Sequence, residues 1–241
     1  MLSSAIVIPA RMGSTRFPGK PLVDLCGKPM IQWVYERSLA SGVTDQVLIA
    51  TPDQEIIDAC NLFGAPSILT RSDHPTGTDR IAEVAEKVIA DVYINVQGDE
   101  PLIDIDTIQA VFNPFLDSAV KMASVFSDCV ESEVDNPAVV KVVTDLSGNA
   151  LYFSRWAIPF PRNERTTPLK KHIGIYAYRR DVLSVYPSWS QTPLEISESL
   201  EQLRFLENGI PIRMVRGQGS VVSVDTPEQA EEVRKFLASQ L

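Results

Sequence analysis

The 241-residue chain reads as an α/β protein, with a mainly parallel central sheet flanked by helices and a smaller antiparallel lobe in its second half. Three observations carry that reading. Apolar runs rich in β-branched residues recur at 5–9, 47–51, 67–70, 92–96 and 122–126, and the segments between them have helical period, the alternation of a parallel sheet. Helix starts are marked at Thr51-Pro52, Thr192-Pro193 and Thr226-Pro227, each a Thr N-cap before a Pro at the first helical position, with Gln54, Glu195 and Gln229 at capping-box spacing. Beyond residue 138 the pattern changes: 138–144, 150–154 and 172–178 read as strands, the first two joined by the hairpin-type turn 145–149.

Each remaining element follows from local chemistry. Gly42, Gly64 and Gly209 follow helical segments where a left-handed cap residue is wanted. Ile196, Leu200, Leu203 and Leu206 form the apolar stripe of one helix, and Ala230, Val233, Phe236 and Leu237 that of a C-terminal helix over 226–241. The stretch 158–171, rich in Pro, Arg and Thr without periodicity, reads as a mobile loop. No repeat or linker interrupts the chain, so 1–241 is expected to be a single domain, elaborated over about 138–190.

Composition narrows the function. A formal charge of −9 argues against nonspecific nucleic-acid binding, which needs a basic face to neutralise phosphates. No apolar run is long enough to span a membrane, and the N-terminus lacks a secretory pattern, so a soluble, cytoplasmic protein is expected. Cys26, Cys60 and Cys129 are odd in number and lack C-x-x-C spacing, which fits reduced thiols rather than disulfides or a thiolate metal site.

Against the acidic background, the first strand opens into a Gly/Pro loop, PARMGSTRFPGKPL, carrying Arg11, Arg16 and Lys20. It is not a Walker loop: five residues separate Gly13 from Gly19 where that motif has four, and Pro21 replaces the magnesium-binding Ser/Thr. What remains is a looser nest, in which glycines allow close backbone approach and the three cations neutralise a polyanion. The strand 92–96 ends in Gln97-Gly98-Asp99-Glu100, and carboxylates at the carboxyl end of a parallel strand face the ligand crevice. Mg²⁺ needs one or two carboxylates besides substrate phosphates, and Asp225, at the start of the last helix, is the candidate partner for Asp99. Thr76, Thr78 and Arg80 sit on a turn that opens a helix, suited to a nucleobase and phosphate but equally to an ordinary Thr cap. In the second half, Arg155, His172, Tyr176, Glu198, Glu201 and Gln202 offer a carboxylate clamp and hydroxyl-binding groups.

Nine blocks in order, PARMGSTRFPGKPL, DHPTGTDR, NVQGDEP, NPAVVKVV, LYFSR followed by IP, HIGIYAYR, PLE, LEQLR and VDTPE, span essentially the whole chain. Together they resemble the sugar-acid cytidylyltransferases, and among these the 3-deoxy-manno-octulosonate (Kdo) cytidylyltransferase family. The resemblance implies a GT-A-like, Rossmann-like nucleotidyltransferase fold, a homodimer, and CMP transfer from CTP to the anomeric hydroxyl of Kdo with Mg²⁺, a cytoplasmic step of lipopolysaccharide synthesis. It makes Arg11, Ser14, Lys20 and Arg16 triphosphate contacts, with Lys20, Arg11, Asp99 and Asp225 the catalytic set and the two Asp the metal ligands. Thr76, Thr78 and Arg80 fall near the cytidine, and Gln97 touches nucleotide or sugar. Arg155, His172, Tyr176, Glu201 and Gln202 become the sugar-acid pocket. The chain departs from the pattern in a shorter 159–172 loop, in small or apolar residues over 196–199, and in Ser223 where a glycine precedes Val-Asp-Thr. Those departures raise an alternative, the same reaction on 8-amino-3,8-dideoxy-manno-octulosonate, with Glu198 or Ser199 accepting from the amine. More distant alternatives are a GT-A glycosyltransferase and a nucleotide sensor.

Overall fold

The structure, a computed structural model, describes residues 2–14, 16–164, 167–220 and 222–240. Its strands in chain order are β1 Ser4–Pro9, β2 Asp24–Leu25, β3 Lys28–Pro29, β4 Val47–Thr51, β5 Ser67–Leu69, β6 Val92–Asn95, β7 Met122–Asp128, β8 Lys141–Thr144, β9 Ala150–Ser154, β10 Lys170–Arg179 and β11 Ile212–Arg216. Its helices are α1 Met30–Ala40, α2 Gln54–Phe63, α3 Gly77–Lys87, α4 Ile105–Phe112, α5 Arg180–Val185, α6 Pro193–Glu198, α7 Gln202–Glu207 and α8 Pro227–Ala238.

The main sheet runs β11-β7-β10-β6-β1-β4-β5. All of this path is parallel to β1 except β10, which lies antiparallel between β6 and β7. The hairpin β8–β9 hangs from the far end of β10 and forms the expected antiparallel lobe. Side chains of β1 alternate with period two: Ala5 and Val7 enter one core with α3, α5 and α7, while Ile6 and Ile8 enter another with α1, α2 and α4. A third cluster packs α8 through Ala230, Val233 and Leu237 of its expected apolar stripe against Leu25 and Met30.

Three expectations are corrected. Thr51 is the last residue of β4, where Thr70 N donates to its carbonyl, so α2 begins at Gln54 with Asp53 as its N-cap. The helix expected to run through 196–206 is two helices, broken at Ser199, which adopts φ 53° and ψ 52°; Ile196 is 61% exposed rather than part of the stripe, while Leu200 and Leu203 are buried. The edge strand β11 adds to the sheet beyond the strands that the sequence predicts. The other two helix starts hold: Glu195 accepts from Thr192 N, and Thr226 and Gln229 cap each other reciprocally. Gly42, Gly64 and Gly209 have φ of 65°, 73° and 75°. The stretch 158–171 expected as a loop gives its last two residues, Lys170 and Lys171, to β10; within it Arg165 and Thr166 lie outside the described residues, as do Thr15 of the basic loop and Val221.

Candidate active site

The carboxyl ends of β1 and β6 open onto a cleft of about 410 Å³, where a parallel sheet places its ligands. The loop after β1 is held by hydrogen bonds within the protein. Ala10 N donates to Ala50 O, Met12 N donates to Asp53 Oδ2 at 2.7 Å, and Phe17 N donates to Ser14 Oγ at 3.3 Å. Asp53 therefore ties the loop to α2 instead of using its side chain on that helix's own cap. Gly19, at φ 72°, turns the loop into a short 3₁₀ segment that delivers Lys20 to the cleft.

Opposite, Gly98 allows the turn after β6 to lie against β1. A Cβ there would sit 2.8 Å from the Pro9 carbonyl oxygen. Val224 N donates to Asp99 O at 2.9 Å, which seats the start of α8 beside the end of β6 and brings Asp225 next to Asp99. Both carboxylates converge on one cation: Lys20 Nζ donates to Asp99 Oδ2 at 2.8 Å and to Asp225 Oδ1 at 3.0 Å. Arg16 lies 3.2 Å from the other oxygen of Asp225. Burial works to lower the Lys20 ammonium, but Asp99 and Asp225 outweigh it and hold its pKa above the usual value. Burial, reinforced by Asp99, lifts the neighbouring Glu100 carboxyl to about 7.

A second cavity of about 240 Å³ abuts the first, sharing Gly77, Gln97 and Glu201 with it. Its polar wall includes Thr78, Tyr176 and Gln202, with Tyr176 donating to Gln202 Oε1 at 3.3 Å and Thr78 donating to Glu201 Oε2 at 3.1 Å. Burial raises Glu201 above the ordinary carboxyl range, against the pull of Thr78 and Thr76. The buried Gln202 Nε2 has no partner among the described residues, a donor ready for a ligand.

The residues expected from the sequence divide accordingly. Arg11, Ser14, Arg16, Lys20, Thr76, Arg80, Gln97, Asp99, Asp225 and Glu201 all line the first cleft. Arg80 is buried there, its Nη1 engaged by Thr70 Oγ1 and Arg71 O. Thr78, Gln97, Tyr176, Glu201 and Gln202 line the second cavity. Three do not reach either wall. Glu198 accepts from Tyr152, Ser154 and the Arg155 backbone N, so its carboxylate is spent inside the lobe. The Arg155 guanidinium donates to the carbonyls of Glu198, Pro137 and Ser199. His172 is half-buried, with its ring between Phe153 and Tyr176 and its Nε2 2.8 Å from Ser124 Oγ; burial pushes it down to about 3, so it is neutral. Sequence reasoning missed Asn95, whose Oδ1 accepts from Gln97 Nε2 at 3.2 Å, and His74 on the cleft wall. For Asn95 the signal was present: a polar residue ending an otherwise apolar strand.

Comparison with known proteins decides the lineage. The family described as Cytidylyltransferase matches residues 5–214. The chain is 47% identical to 3-deoxy-manno-octulosonate cytidylyltransferase of Escherichia coli, covering all of this chain and 98% of that one. The chain belongs to the 3-deoxy-manno-octulosonate cytidylyltransferase family. A member from Pelobacter propionicus is 48% identical over 97% of both chains. The structure of a CMP:2-keto-3-deoxy-manno-octonic acid synthetase complexed with CTP superposes with a TM-score of 0.95 at 47% identity, covering 99% of this chain and all of that one. The fold of this family member is thus the nucleotidyltransferase α/β fold that the sequence suggested.

Proposed function

We propose that this enzyme transfers CMP from CTP to the anomeric hydroxyl of Kdo, releasing pyrophosphate. The observation that carries the reading is the pair of abutting cavities, one lined by the cationic loop and two converging carboxylates, the other by Tyr176, Glu201 and Gln202, with Gln97 on both walls. The full-length relatives bear the name of this activity.

Arg11, Ser14, Arg16 and Lys20 take the triphosphate, and Arg11 with Lys20 offsets charge developing on the leaving pyrophosphate. Thr76, Thr78 and Arg80 fix the cytidine side. Asp99 and Asp225 fit Mg²⁺, because they already converge on a single cation and two carboxylates plus substrate phosphates are an ordinary magnesium donor set. Held by Asp99 and Asp225, Mg²⁺ would supply Lewis-acid chemistry, polarising a phosphate and lowering the pKa of a hydroxyl. Tyr176, Glu201 and Gln202 hold the sugar acid against Gln97. Arg155 and His172 stand behind this wall: Arg155 pins the Glu198–Ser199 backbone, and the His172 ring packs against Tyr176.

Of the two acceptors named for the modified-sugar alternative, Glu198 already has three donors, while Ser199 lines the second cavity; the full-length relatives are named for the plain sugar. A homodimer is supported by Trp156 and Phe160, 81% and 84% exposed within the 138–190 elaboration. A cytoplasmic enzyme of lipopolysaccharide synthesis is in keeping with CTP as co-substrate; among the described residues no helix is long and apolar enough to cross a membrane. The test is pyrophosphate release from CTP, Mg²⁺ and Kdo, with the 8-amino sugar offered in parallel. Release with Kdo preferred is expected, and Asp225→Asn should abolish it while CTP still binds. No release, or wild-type turnover by Asp225→Asn, overturns the reading.

A further inference from the structure

The carboxylates that fit a divalent cation are already paired with cations of the triphosphate loop. Lys20 Nζ sits between Asp99 and Asp225, at 2.8 and 3.0 Å, which is where a cation bound to both would have to sit. Arg16 covers the remaining oxygen of Asp225 at 3.2 Å. The Lys20 side chain is only 13% exposed, so this is a sheltered contact rather than a loose surface pair. Lys20 and Arg16 are also two of the cations available to phosphate in the same cleft. The two charge sets thus pair with each other across the cleft.

We propose that Lys20, with Arg16 outside it, is an internal stand-in for the divalent cation, and that metal and nucleotide bind by exchange. This rests on the reading that the cleft takes CTP and a divalent metal. The triphosphate draws Lys20 and Arg16 off the carboxylates, and the vacated carboxylates take the metal. Either ligand alone meets a penalty. A divalent cation arriving first must expel an ammonium that has no phosphate to turn to. A triphosphate arriving first strips the carboxylates of their counter-ions and leaves them bare beside its own negative charge. Both penalties disappear when the two arrive together, so metal and nucleotide raise each other's affinity by the same factor. The free enzyme keeps a neutral, anchored loop and holds little metal.

The probe is Mn²⁺, titrated into the full-length enzyme without nucleotide and read by electron paramagnetic resonance of the free ion. Lys20→Met is expected to bind Mn²⁺ about tenfold tighter or more than wild type, tenfold being the floor set by removing one unit charge about 3 Å from the carboxylates at the dielectric of bulk water. Arg16→Gln, whose parent side chain is 67% exposed, should give a smaller gain in the same direction and carries the test if Lys20→Met does not fold. CTP should tighten Mn²⁺ by a larger factor in wild type than in Lys20→Met. Unchanged or weaker Mn²⁺ binding in the variants overturns the exchange. Neither sugar nor turnover enters this titration. Tighter Mn²⁺ with no pyrophosphate release by wild type would leave the exchange standing and overturn the functional reading, and the converse result would do the opposite.

Discussion

Acid should unfold this protein partly through a single neutral histidine. His172 has its ring against Phe153 at 4.9 Å and Tyr176 at 5.3 Å, and burial pushes it from 6.5 down to about 3. Ser124 Oγ donates to Ile175 O, which leaves His172 Nε2 as the donor to Ser124 Oγ. Because the folded pKa is depressed, the unfolded chain binds a proton that the native state refuses over the whole window from 6.5 to about 3. Stability therefore falls as pH drops through 6.5, and the loss levels off only near the folded value. Between about pH 7.5 and about pH 5 this proton costs about 2 kcal/mol, at about 1.4 kcal/mol per unit once well below the unfolded pKa. The perturbation is His172→Gln, which keeps a donor for Ser124 and cannot titrate. At the higher pH the variant should be less stable, by about 0.5–1.5 kcal/mol for each of the two ring pairings it removes. Urea denaturation across the range should show the wild-type advantage shrinking by about 2 kcal/mol toward acid, whatever other groups contribute to both proteins. A difference that stays constant within about 0.5 kcal/mol would refute the argument, because it would mean that the ring titrates as freely in the native state as in water.

Two further substitutions probe the frame of the site. Phe205 is 1% exposed, stacked on Tyr186 at 4.8 Å and edge-on to Trp189 at 5.8 Å, so Phe205→Ala should cost about 3–5 kcal/mol in a denaturant melt. Gly98→Ala drives a Cβ to 2.8 Å from the Pro9 carbonyl and must part β1 from the turn bearing Asp99. A fall in kcat/KM of about a hundredfold is expected, the scale of a displacement of about 1 Å in a catalytic group. Near wild-type kinetics in that variant would show that the close approach is dispensable.

What was legible in the sequence is what short-range chemistry decides. Strands 47–51 and 150–154 appear where their β-branched and aromatic residues put them, and the basic loop lines the cleft because it directly follows the first strand of a parallel sheet. The failures lie where tertiary pairing chooses between local options. Thr51 has the residue type of a helix cap, but pairing with Leu69 keeps it in the sheet and Asp53 takes over the cap. The break at Ser199 is invisible to periodicity, since no Gly or Pro marks it and apolar spacing continues across it. β11 alternates buried Ile212 and Met214 with Arg213 and Val215, a pattern that short charged edge strands share with exposed loops. Beside the second cavity, Arg155 and Glu198 have the chemistry of ligand-binding groups and spend it on the protein, a division that spacing alone does not reveal.

The antiparallel strand β10 explains how two cavities abut across one sheet. Four registered pairs fix it to β6, among them Tyr176 with Asn95 and Tyr178 with Tyr93, so the floor of the second cavity is set against the strand whose extension carries Gln97 and Asp99. On its other edge β10 pairs with β7, and the register shifts between Ile173 and Tyr176. That irregularity separates the part of β10 that holds the hairpin from the part that pairs with β6 and lines the second cavity. Because strand register has period two, a slip of one residue would turn Tyr176 to the opposite face and remove it from Gln202. The distance between the wall bearing Tyr176 and Gln202 and the carboxylates of Asp99 and Asp225 is therefore set by backbone pairing in the sheet's interior, while Lys20 and Arg16 reach those carboxylates from a loop.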